Sequence, residues 1–288
     1  MRVLVTGAGG QLGRAVVAAA SQRRWDAVGL DHARCPIEDA DAVRAAIAGA
    51  RPDFVVHCAA WTDVDGCEAD PALADRINGH GTAHVAEACR SIGCALAYLS
   101  TDYVFDGRGK RPYREDDPVA PVSAYGRSKR LGEEAVLRAP RGTRFWCVRT
   151  SWVFGPGGKN FPSAIVARAR AGGPLRVVDD QRGCPTYTHD LAEALLDLPV
   201  RDAASGIWHA CNEGAVSWHG FASAIVRALR LDVRVDAISS AELARKAPRP
   251  AWSVLDCTAL TRLRGAPLPP WQDALLRYLA AEGQLPVP

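Results

Sequence analysis

Met1-Arg-Val-Leu-Val-Thr6 runs directly into Gly7-Ala-Gly-Gly-Gln-Leu-Gly13, and this stretch decides the fold. The first segment is mostly apolar and β-branched, which is typical of a buried parallel strand. Arg14-Ala-Val-Val-Ala-Ala-Ala20, which follows the glycines, has a good helix-forming composition. A strand, a glycine turn and a helix in this order predict a dinucleotide site, where the backbone approaches a pyrophosphate at the helix N-terminus.

The cofactor is less well defined than the fold. The spacing of Gly7, Gly10 and Gly13 differs from the dehydrogenase pattern G-x-G-x-x-G, so a simple turn remains an alternative. A second strand ends at Asp31, whose carboxylate could accept a hydrogen bond from a ribose 2′-hydroxyl and so favour NADH. Arg34 lies close behind and would accommodate the 2′-phosphate of NADPH, so both cofactors stay open.

Strands and helices then alternate along the first half of the chain. Further strands are predicted at Asp53–His57, Ala95–Ser100 and Arg144–Arg149, with a long helix over Pro71–Ile92 and another from Tyr125 to about Arg138. Repeated βα units with short connections predict an α/β fold with a doubly wound parallel sheet of the Rossmann type. Ligands in such sheets bind beyond the carboxyl ends of the strands.

After residue 150 this rhythm breaks, and Pro, Gly and Trp become frequent. We expect residues 1–150 to form the dinucleotide-binding domain and residues 151–288 mainly a smaller, substrate-binding domain. Within the latter, helices are predicted at Asn160–Ala171, at Ser217–Leu229 and from Trp271 onwards. A segment near 186–210, ending in the strand-like Gly206–Ala210, is expected to return to the main sheet.

Composition narrows the class of protein. The chain has 288 residues with 48% hydrophobic residues, and no apolar run is long enough to span a bilayer. No signal peptide precedes the first strand, so we expect a cytoplasmic protein. A net charge of +3 is too small to indicate nucleic acid, and the nine cysteines contain no C-x-x-C pair, which favours reduced thiols.

Tyr125 and Lys129 form the pair with the clearest chemical meaning. Residues four apart on a helix lie on the same face, so an ammonium would stand beside a phenol. Such a neighbour is expected to lower the pKa of the tyrosine and make it a proton donor or acceptor. The same spacing also occurs by chance on exposed helices.

Several motifs together resemble the extended short-chain dehydrogenase/reductases, and specifically the dTDP-4-dehydrorhamnose reductase family. The resemblance covers essentially the whole chain. It rests on the glycine turn and on six further segments in a fixed order: Val55–Asp65, Ser100–Gly107, Tyr125–Lys129, Arg149–Gly155 with Asn160-Phe161, Asp180–Thr186 and Arg249–Leu255.

The resemblance implies a role for particular residues. Thr101, Tyr125 and Lys129 would form the catalytic triad. NADPH or NADH would be held by Tyr125 and Lys129 together with Gly7, Gly10, Gln11, Leu12, Gly13, Asp31, Ala59, Ala60 and Thr62. The sugar nucleotide would be contacted by Asp102, Trp152, Asn160 and Arg249, the last through its diphosphate, since a guanidinium binds two phosphate oxygens at once.

The implied reaction is the NAD(P)H-dependent reduction of the C4 ketone of dTDP-4-dehydro-6-deoxy-L-mannose to dTDP-L-rhamnose. A reductase for another dTDP-4-keto-deoxysugar, a non-catalytic NAD(P)-binding regulatory subunit, and an epimerase or dehydratase remain alternatives. The resemblance leaves a homodimer open. Some relatives bind Mg²⁺ at a dimer contact, but no residue here can be assigned to such a site, and no metal ligand is predicted.

Some positions depart from the family pattern. Pro36 stands at the first position of a segment near the adenine that usually begins with Asp, which puts one adenine contact in doubt. Cys58 stands in place of the usual Asn before Ala59-Ala60, and the usual aromatic residue or His after them is Trp61.

Overall fold

The computed structural model of the protein describes residues 1–139 and 143–285. Its strands, numbered along the chain, are β1 Arg2–Thr6, β2 Asp26–Leu30, β3 Phe54–His57, β4 Ala95–Thr101, β5 Phe145–Thr150, β6 Val153–Phe154, β7 Leu175–Val178, β8 Arg182–Gly183, β9 Thr186–Tyr187, β10 Gly206–His209, β11 Val216–Ser217 and β12 Val235–Ile238.

The α-helices are α1 Gln11–Gln22, α2 Ala40–Ala50, α3 Val64–Ala69, α4 Pro71–Ala74, α5 Gly81–Ile92, α6 Ala124–Leu137, α7 Phe161–Arg170, α8 Thr188–Val200, α9 Trp218–Ala228, α10 Ser240–Leu243, α11 Thr258–Arg264 and α12 Trp271–Ala281. A π-helix spans Asp75–His80, and a 3₁₀ turn spans Asp102–Val104. Helices α2, α3, α8, α10 and α11 are absent from the sequence predictions.

Six strands form one parallel sheet in the order β10-β5-β4-β3-β1-β2. The predicted doubly wound α/β fold is confirmed, and so is the return of Gly206–His209, which pairs with β5. After β1, the chain first adds β2 on one side of that strand and then adds β3 on its other side. This reversal is the place where doubly wound sheets bind ligands, beyond the carboxyl ends of the strands.

Apolar clusters cover both faces of the sheet. On one face Val3 and Phe54 pack with Val16 of α1 and Leu195 of α8. On the other face Leu4 packs with residues of α2 and α5. Because both faces are buried, the strands are near-continuous apolar runs, which is why the sequence identified them well.

The predicted regular helix over Pro71–Ile92 is wrong in its first half. The segment consists of α4, the π-helix and α5. The wider turn carries the buried Asn78, whose side chain accepts from the Trp61 backbone N–H at 2.8 Å and donates to the Ser128 hydroxyl at 3.0 Å. These bonds tie the π-helix to α6, the helix that carries Tyr125. Single π-turns of this kind are frequent near functional sites.

The C-terminal part has its own apolar core, built around Phe154, Phe221 and Tyr278. It carries three two-stranded pairings, β7 with β12, β6 with β9, and β8 with β11. The boundary at residue 150 stays a prediction. Among the helices described, none combines the length and the apolar composition needed to cross a bilayer. All nine cysteines are free thiols, as predicted.

Candidate active site

Two cavities open at the carboxyl edge of the sheet, on either side of the glycine turn. The first has a volume of about 490 Å³ and is lined by the predicted triad Thr101, Tyr125 and Lys129, and we call it the catalytic cavity. The second has a volume of about 690 Å³ and is lined by Asp31 and Glu38, and we call it the ribose cavity after the predicted role of Asp31. Both cavities share Gly7, Gly10, Cys58 and Ala60, so one extended molecule could occupy both.

The glycine turn is a cradle that larger residues would fill. Gly7 has a φ of 68°, and a Cβ there would lie 2.6 Å from the Ala59 backbone nitrogen. A Cβ on Gly13 would lie 2.3 Å from the Gly7 carbonyl oxygen. Gly10 precedes α1 and offers no side chain to its first N–H groups. These features fit a dinucleotide pyrophosphate at the helix N-terminus.

The ribose cavity is acidic. Asp31 lines it and accepts a hydrogen bond from the backbone N–H of Arg34 at 3.1 Å. The Arg34 guanidinium itself donates to the Gly29 carbonyl at 2.8 Å. With Glu38 also in the wall, the cavity presents carboxylates rather than a free guanidinium where a ribose would lie.

All the residues predicted to hold the cofactor line one cavity or the other. Asp31 and Ala59 line the ribose cavity, and Gly7, Gly10 and Ala60 line both. The catalytic cavity adds Gln11, Leu12, Gly13, Thr62, Tyr125 and Lys129. Their role in binding stays a prediction.

Three elements bring the predicted triad together. Thr101 ends β4, and Tyr125 and Lys129 lie one turn apart near the start of α6. Ser123 caps α6 by accepting from the Gly126 N–H at 3.2 Å. Gly126 is required here, because a Cβ would lie 2.2 Å from the Tyr103 carbonyl oxygen. The beginning of α6 therefore packs directly on the turn that follows β4.

Burial sets the protonation of this triad. Burial raises the pKa of Tyr125 above its ordinary value, although hydrogen bonding with Thr101 acts in the opposite direction. Burial also lowers the pKa of Lys129 to about 8, and its ammonium lies 4.4 Å from the centre of the Tyr98 ring. The predicted lowering of the Tyr125 pKa is therefore wrong, because desolvation of the phenolate is the largest contribution and raises the pKa. Tyr125 is protonated at neutral pH, as a proton donor must be.

A buried ion pair holds α6 against the sheet. Glu133, one turn beyond Lys129, accepts from Arg149 of β5 at 2.8 and 2.9 Å. It also accepts from the hydroxyl of Ser100 at 2.6 Å. Arg149 begins one of the sequence motifs but was given no role there, and Glu133 was not singled out at all, since a helical Glu is usually exposed. Together they fix the helix that carries Tyr125 relative to β4.

Asp102 is a buried carboxyl group in the same cavity. Its Oδ1 accepts from the Thr101 hydroxyl at 3.0 Å, and its Oδ2 has no hydrogen-bond partner. Burial raises the pKa of Asp102 to about 7. An unpaired buried carboxyl oxygen in a cavity is a natural point of contact for a polar ligand.

The four predicted sugar-nucleotide residues separate in the structure. Asp102 and Trp152 line the catalytic cavity, whereas Asn160 and Arg249 line neither cavity. Asn160 caps α7, accepting from the Ser163 N–H at 2.9 Å and donating to Gln11 at 2.9 Å.

Arg249 is occupied by an ion pair. It donates to both carboxylate oxygens of Asp65, at 3.2 and 3.0 Å. Hydrogen bonds from Arg249 lower the pKa of Asp65 to about 2. The guanidinium fork that was predicted to bind a diphosphate is thus already engaged.

Several residues that sequence reasoning missed line the catalytic cavity: Tyr103, Ser151, Lys159 and Trp218. Tyr103 directly follows the predicted Asp102, and Ser151 directly precedes the predicted Trp152, so their positions after β4 and β5 could have revealed them. Trp218 has no such signal, because it lies far along the chain at the start of α9. Among residues 1–139 and 143–285, no cluster of His, Cys, Asp and Glu could hold a metal ion.

A doubly wound sheet, a glycine cradle and a Thr-Tyr-Lys set at the carboxyl edge define the short-chain dehydrogenase/reductase class of oxidoreductases. The family model described as RmlD substrate binding domain matches residues 1–283 of the chain. The chain belongs to this family.

Named relatives extend over nearly the full length. The chain is 44% identical to dTDP-4-dehydrorhamnose reductase of Streptomyces griseus, over 97% of this chain and 93% of the relative. It is 39% identical to dTDP-4-keto-6-deoxy-D-glucose reductase of Streptomyces niveus, over 95% of each. The structure of dTDP-4-dehydrorhamnose reductase from Bacillus anthracis str. Ames in complex with NADP matches with a TM-score of 0.92 at 34% identity, over 97% of this chain and 99% of that chain.

Proposed function

We propose that this protein is an NAD(P)H-dependent reductase of dTDP-4-keto-6-deoxysugars, and that its substrate is dTDP-4-dehydro-6-deoxy-L-mannose, which it reduces to dTDP-L-rhamnose. The observation that carries the proposal is the meeting of Thr101, Tyr125 and Lys129 in a cavity that continues into a dinucleotide cradle. A non-catalytic NAD(P)-binding subunit would have no need of this arrangement.

The residues suit the reduction of a ketone. The glycine turn with Tyr125 and Lys129 would hold a nicotinamide cofactor, which would supply a hydride to C4 of the sugar. Tyr125, kept protonated by burial, gives its proton to the ketone oxygen, so that the product is an alcohol. The Thr101 hydroxyl, which here donates to Asp102, would turn to donate its one proton to the same oxygen, where negative charge develops. The Lys129 ammonium stabilises that charge and the phenolate left on Tyr125.

The relatives support the substrate class more firmly than the particular sugar. The names of the Streptomyces griseus and Bacillus anthracis proteins favour the dehydrorhamnose substrate. The Streptomyces niveus protein is named for a 4-keto-6-deoxy-D-glucose. A reductase for that sugar is therefore the second candidate.

The deciding experiment supplies each dTDP-4-keto-6-deoxysugar, the L-manno and the D-gluco form, to the purified protein with NADPH and then with NADH. We expect one cofactor to be oxidised per sugar with the L-manno substrate, and NMR of the product to show dTDP-L-rhamnose. Faster turnover of the D-gluco sugar would favour the second candidate. No turnover and no dTDP binding would overturn the enzyme proposal, and a redox-neutral conversion would indicate an epimerase or dehydratase.

The ribose cavity supports a role for Asp31 in cofactor choice. Its carboxylate could accept from a ribose 2′-hydroxyl but would repel a 2′-phosphate. We therefore expect Asp31→Ala to weaken NADH binding by about fivefold to tenfold, which is the size of one lost charged hydrogen bond. The affinity for NADPH should stay unchanged or become tighter. Dissociation constants from fluorescence titration would measure this, with Asp41→Ala, an exposed acid outside both cavities, as the control. Equal changes for the two cofactors would exclude this role.

A further inference from the structure

The ring of Tyr98 lies against the lysine of the triad. Tyr98 belongs to β4 and is fully buried. The Lys129 ammonium lies over this ring, 4.4 Å from its centre. The Tyr98 hydroxyl also donates to the Lys129 backbone carbonyl at 3.1 Å. Tyr98 therefore contacts both the backbone and the charged end of Lys129, although it lines neither cavity.

The surroundings hold Tyr98 in this position. Gly132 lets α6 approach the ring, because a Cβ there would lie 2.4 Å from the Tyr98 hydroxyl oxygen. The imidazole of His57 stacks on the ring of Tyr98 with centroids 5.7 Å apart. Hydrogen bonds join His57 to the hydroxyls of Thr6 at 2.7 Å and Thr82 at 3.1 Å. Both rings are therefore fixed by the fold itself.

Lys129 needs a partner of this kind because its charge is buried. Burial disfavours the ammonium, which is why the pKa of Lys129 falls to about 8. An ammonium is attracted to the negative face of an aromatic ring, and the attraction is strongest where water is excluded. The ring of Tyr98 therefore favours the ammonium over the neutral amine.

The other ionisable groups near Lys129 add little free charge. They are Glu133 and Tyr125 on α6, Cys147 on β5, His57 at the end of β3, Cys58 directly after it, and Cys67 on α3. Burial raises the pKa of the three thiols and of Tyr125 and lowers that of His57 to about 3, so these five groups are neutral at pH 7. Glu133 is ionised, and its two oxygens accept from Arg149 at 2.8 and 2.9 Å. The nearby carboxylate is thus paired with another cation, whereas the Tyr98 ring faces Lys129.

We propose that Tyr98 is a positioning residue for the reaction, and that its ring holds the Lys129 ammonium beside Tyr125 in the charged form. The catalytic part of this inference rests on the proposed function, whereas the contact between Tyr98 and Lys129 belongs to the protein without ligands. Lys129 must be charged to stabilise the oxygen that gains charge during reduction and the phenolate left on Tyr125. Tyr98 therefore sets the pH above which the enzyme loses activity.

The direct test measures the pKa of Lys129 without turnover. The chain has four lysines, at positions 110, 129, 159 and 246, so NMR of protein labelled with ¹³C at lysine Cε can resolve each titration, and Lys129→Gln identifies the signal. We expect Tyr98→Leu, which removes the ring, to lower the pKa of Lys129 by about one unit. Tyr98→Phe keeps the ring and removes only the hydroxyl, so it should lower this pKa by less than about 0.3 unit.

Turnover should show the same shift. The pH at which kcat falls to half on the alkaline side should move down by about one unit in Tyr98→Leu and stay in place in Tyr98→Phe. At pH 6, where Lys129 is charged in each protein, Tyr98→Leu should return to within about threefold of wild-type turnover. A residue that only filled space would lower turnover by the same factor at every pH.

Phe145→Leu is the matched control. Phe145 is buried in the same apolar cluster as Tyr98 and lines neither cavity. Its loss should leave the pKa of Lys129 unchanged. If Tyr98→Leu does not fold, as judged by circular dichroism, replacement of Tyr98 by 3,4,5-trifluorophenylalanine carries the test. Fluorine withdraws charge from the ring face at nearly constant shape, so the pKa of Lys129 should fall about half a unit below its value in Tyr98→Phe.

The outcomes separate the two proposals. A Lys129 pKa that stays unchanged without the Tyr98 ring, or that falls equally in Phe145→Leu, would overturn the role of Tyr98 while the proposed function stands on wild-type turnover. A shifted pKa with an unmoved alkaline limit of kcat would overturn the catalytic part of the role. A wild type that reduces no dTDP-4-keto-6-deoxysugar would overturn the proposed function and the catalytic part with it, whatever the NMR titration shows.

Discussion

The two halves of the site are built in different ways. On the sheet side, Gly7, Thr101 and Ser151 lie at or just beyond the ends of β1, β4 and β5, and parallel strands bring such ends to one edge by construction. On the C-terminal side, Trp152 meets Trp218, and Arg249 meets Asp65, across long stretches of chain. A site made from strand ends can be predicted from the local sequence pattern, whereas a site made from contacts between distant residues cannot.

Two arginine–carboxylate pairs, one on each side of the site, differ in how much of the pair is exposed to water. In the Arg149–Glu133 pair the side chains are 1% and 0% exposed. In the Arg249–Asp65 pair they are 16% and 25% exposed. Both pairs are bidentate, so their chemistry is alike and their burial is not. A charge left alone in the first environment costs far more than one left in the second.

The largest expected effect tests the sheet side directly. Tyr125→Phe removes the transferable proton and keeps the ring, so kcat should fall roughly 10²–10⁴-fold with little change in cofactor affinity. Steady-state turnover of the 4-keto sugar measures this. Tyr187→Phe, which removes a hydroxyl outside both cavities, is the control. A variant that keeps more than about half of wild-type turnover, with a kinetic isotope effect showing that hydride transfer limits the rate, would exclude Tyr125 as the donor.

Replacing the carboxylate of each ion pair with alanine measures how much burial adds to the cost of an unpaired charge. Glu133→Ala leaves Arg149 buried and unpaired, so the free energy of unfolding should fall by about 3–5 kcal/mol. Asp65→Ala should cost about 1 kcal/mol or less, because water reaches that pair. Urea unfolding gives both values. Similar losses in the two variants would mean that burial does not distinguish the pairs.

The pH dependence of stability tests the buried carboxyl group of Asp102. Its pKa is about 7 in the folded protein against an ordinary value of 3.8. Between these values the folded state holds a proton that the unfolded state has released, so wild type loses stability as the pH rises towards 7. Asp102→Asn lacks this titration.

The difference in the free energy of unfolding, variant minus wild type, should therefore rise by about 1.4 kcal/mol per pH unit within this range. Urea unfolding at pH 5, 6 and 7 measures it, and the contributions of other groups cancel in the difference. If the free energies of unfolding of the two proteins change in parallel with pH, Asp102 is already ionised in the folded protein over this range.

The smallest effect concerns Arg249 on the C-terminal side. If its guanidinium binds the substrate diphosphate, Arg249→Ala should raise KM for the dTDP-sugar about tenfold, and Arg249→Lys should recover only part of the loss. Asp65→Ala frees the guanidinium and should not raise KM. Equal increases in the Arg249 and Asp65 variants would instead identify the pair as a structural tie. The dissociation constant of NADPH should stay within about twofold in all three.

The π-helix shows why a strong local pattern can still mislead. Most of Pro71–Ile92 has helical composition, apart from Asn78-Gly79-His80-Gly81, and in this part Asn78 bonds with Trp61 and Ser128 where one turn of the helix widens. The competing hydrogen bonds come from elsewhere in the fold. Residue periodicity carries no record of them.

The sheet, the glycine cradle and the shared helix face of Tyr125 and Lys129 follow from the sequence alone, because strand ends and helix spacing are local properties of the chain. Thr101 was named through the resemblance to a known family. Only the tertiary structure decided that Tyr125 has a raised pKa, that Glu133 is buried, and that Trp218 covers Trp152. Desolvation and stacking depend on which distant residues exclude water from a given atom. That is settled by packing, after the local elements have formed.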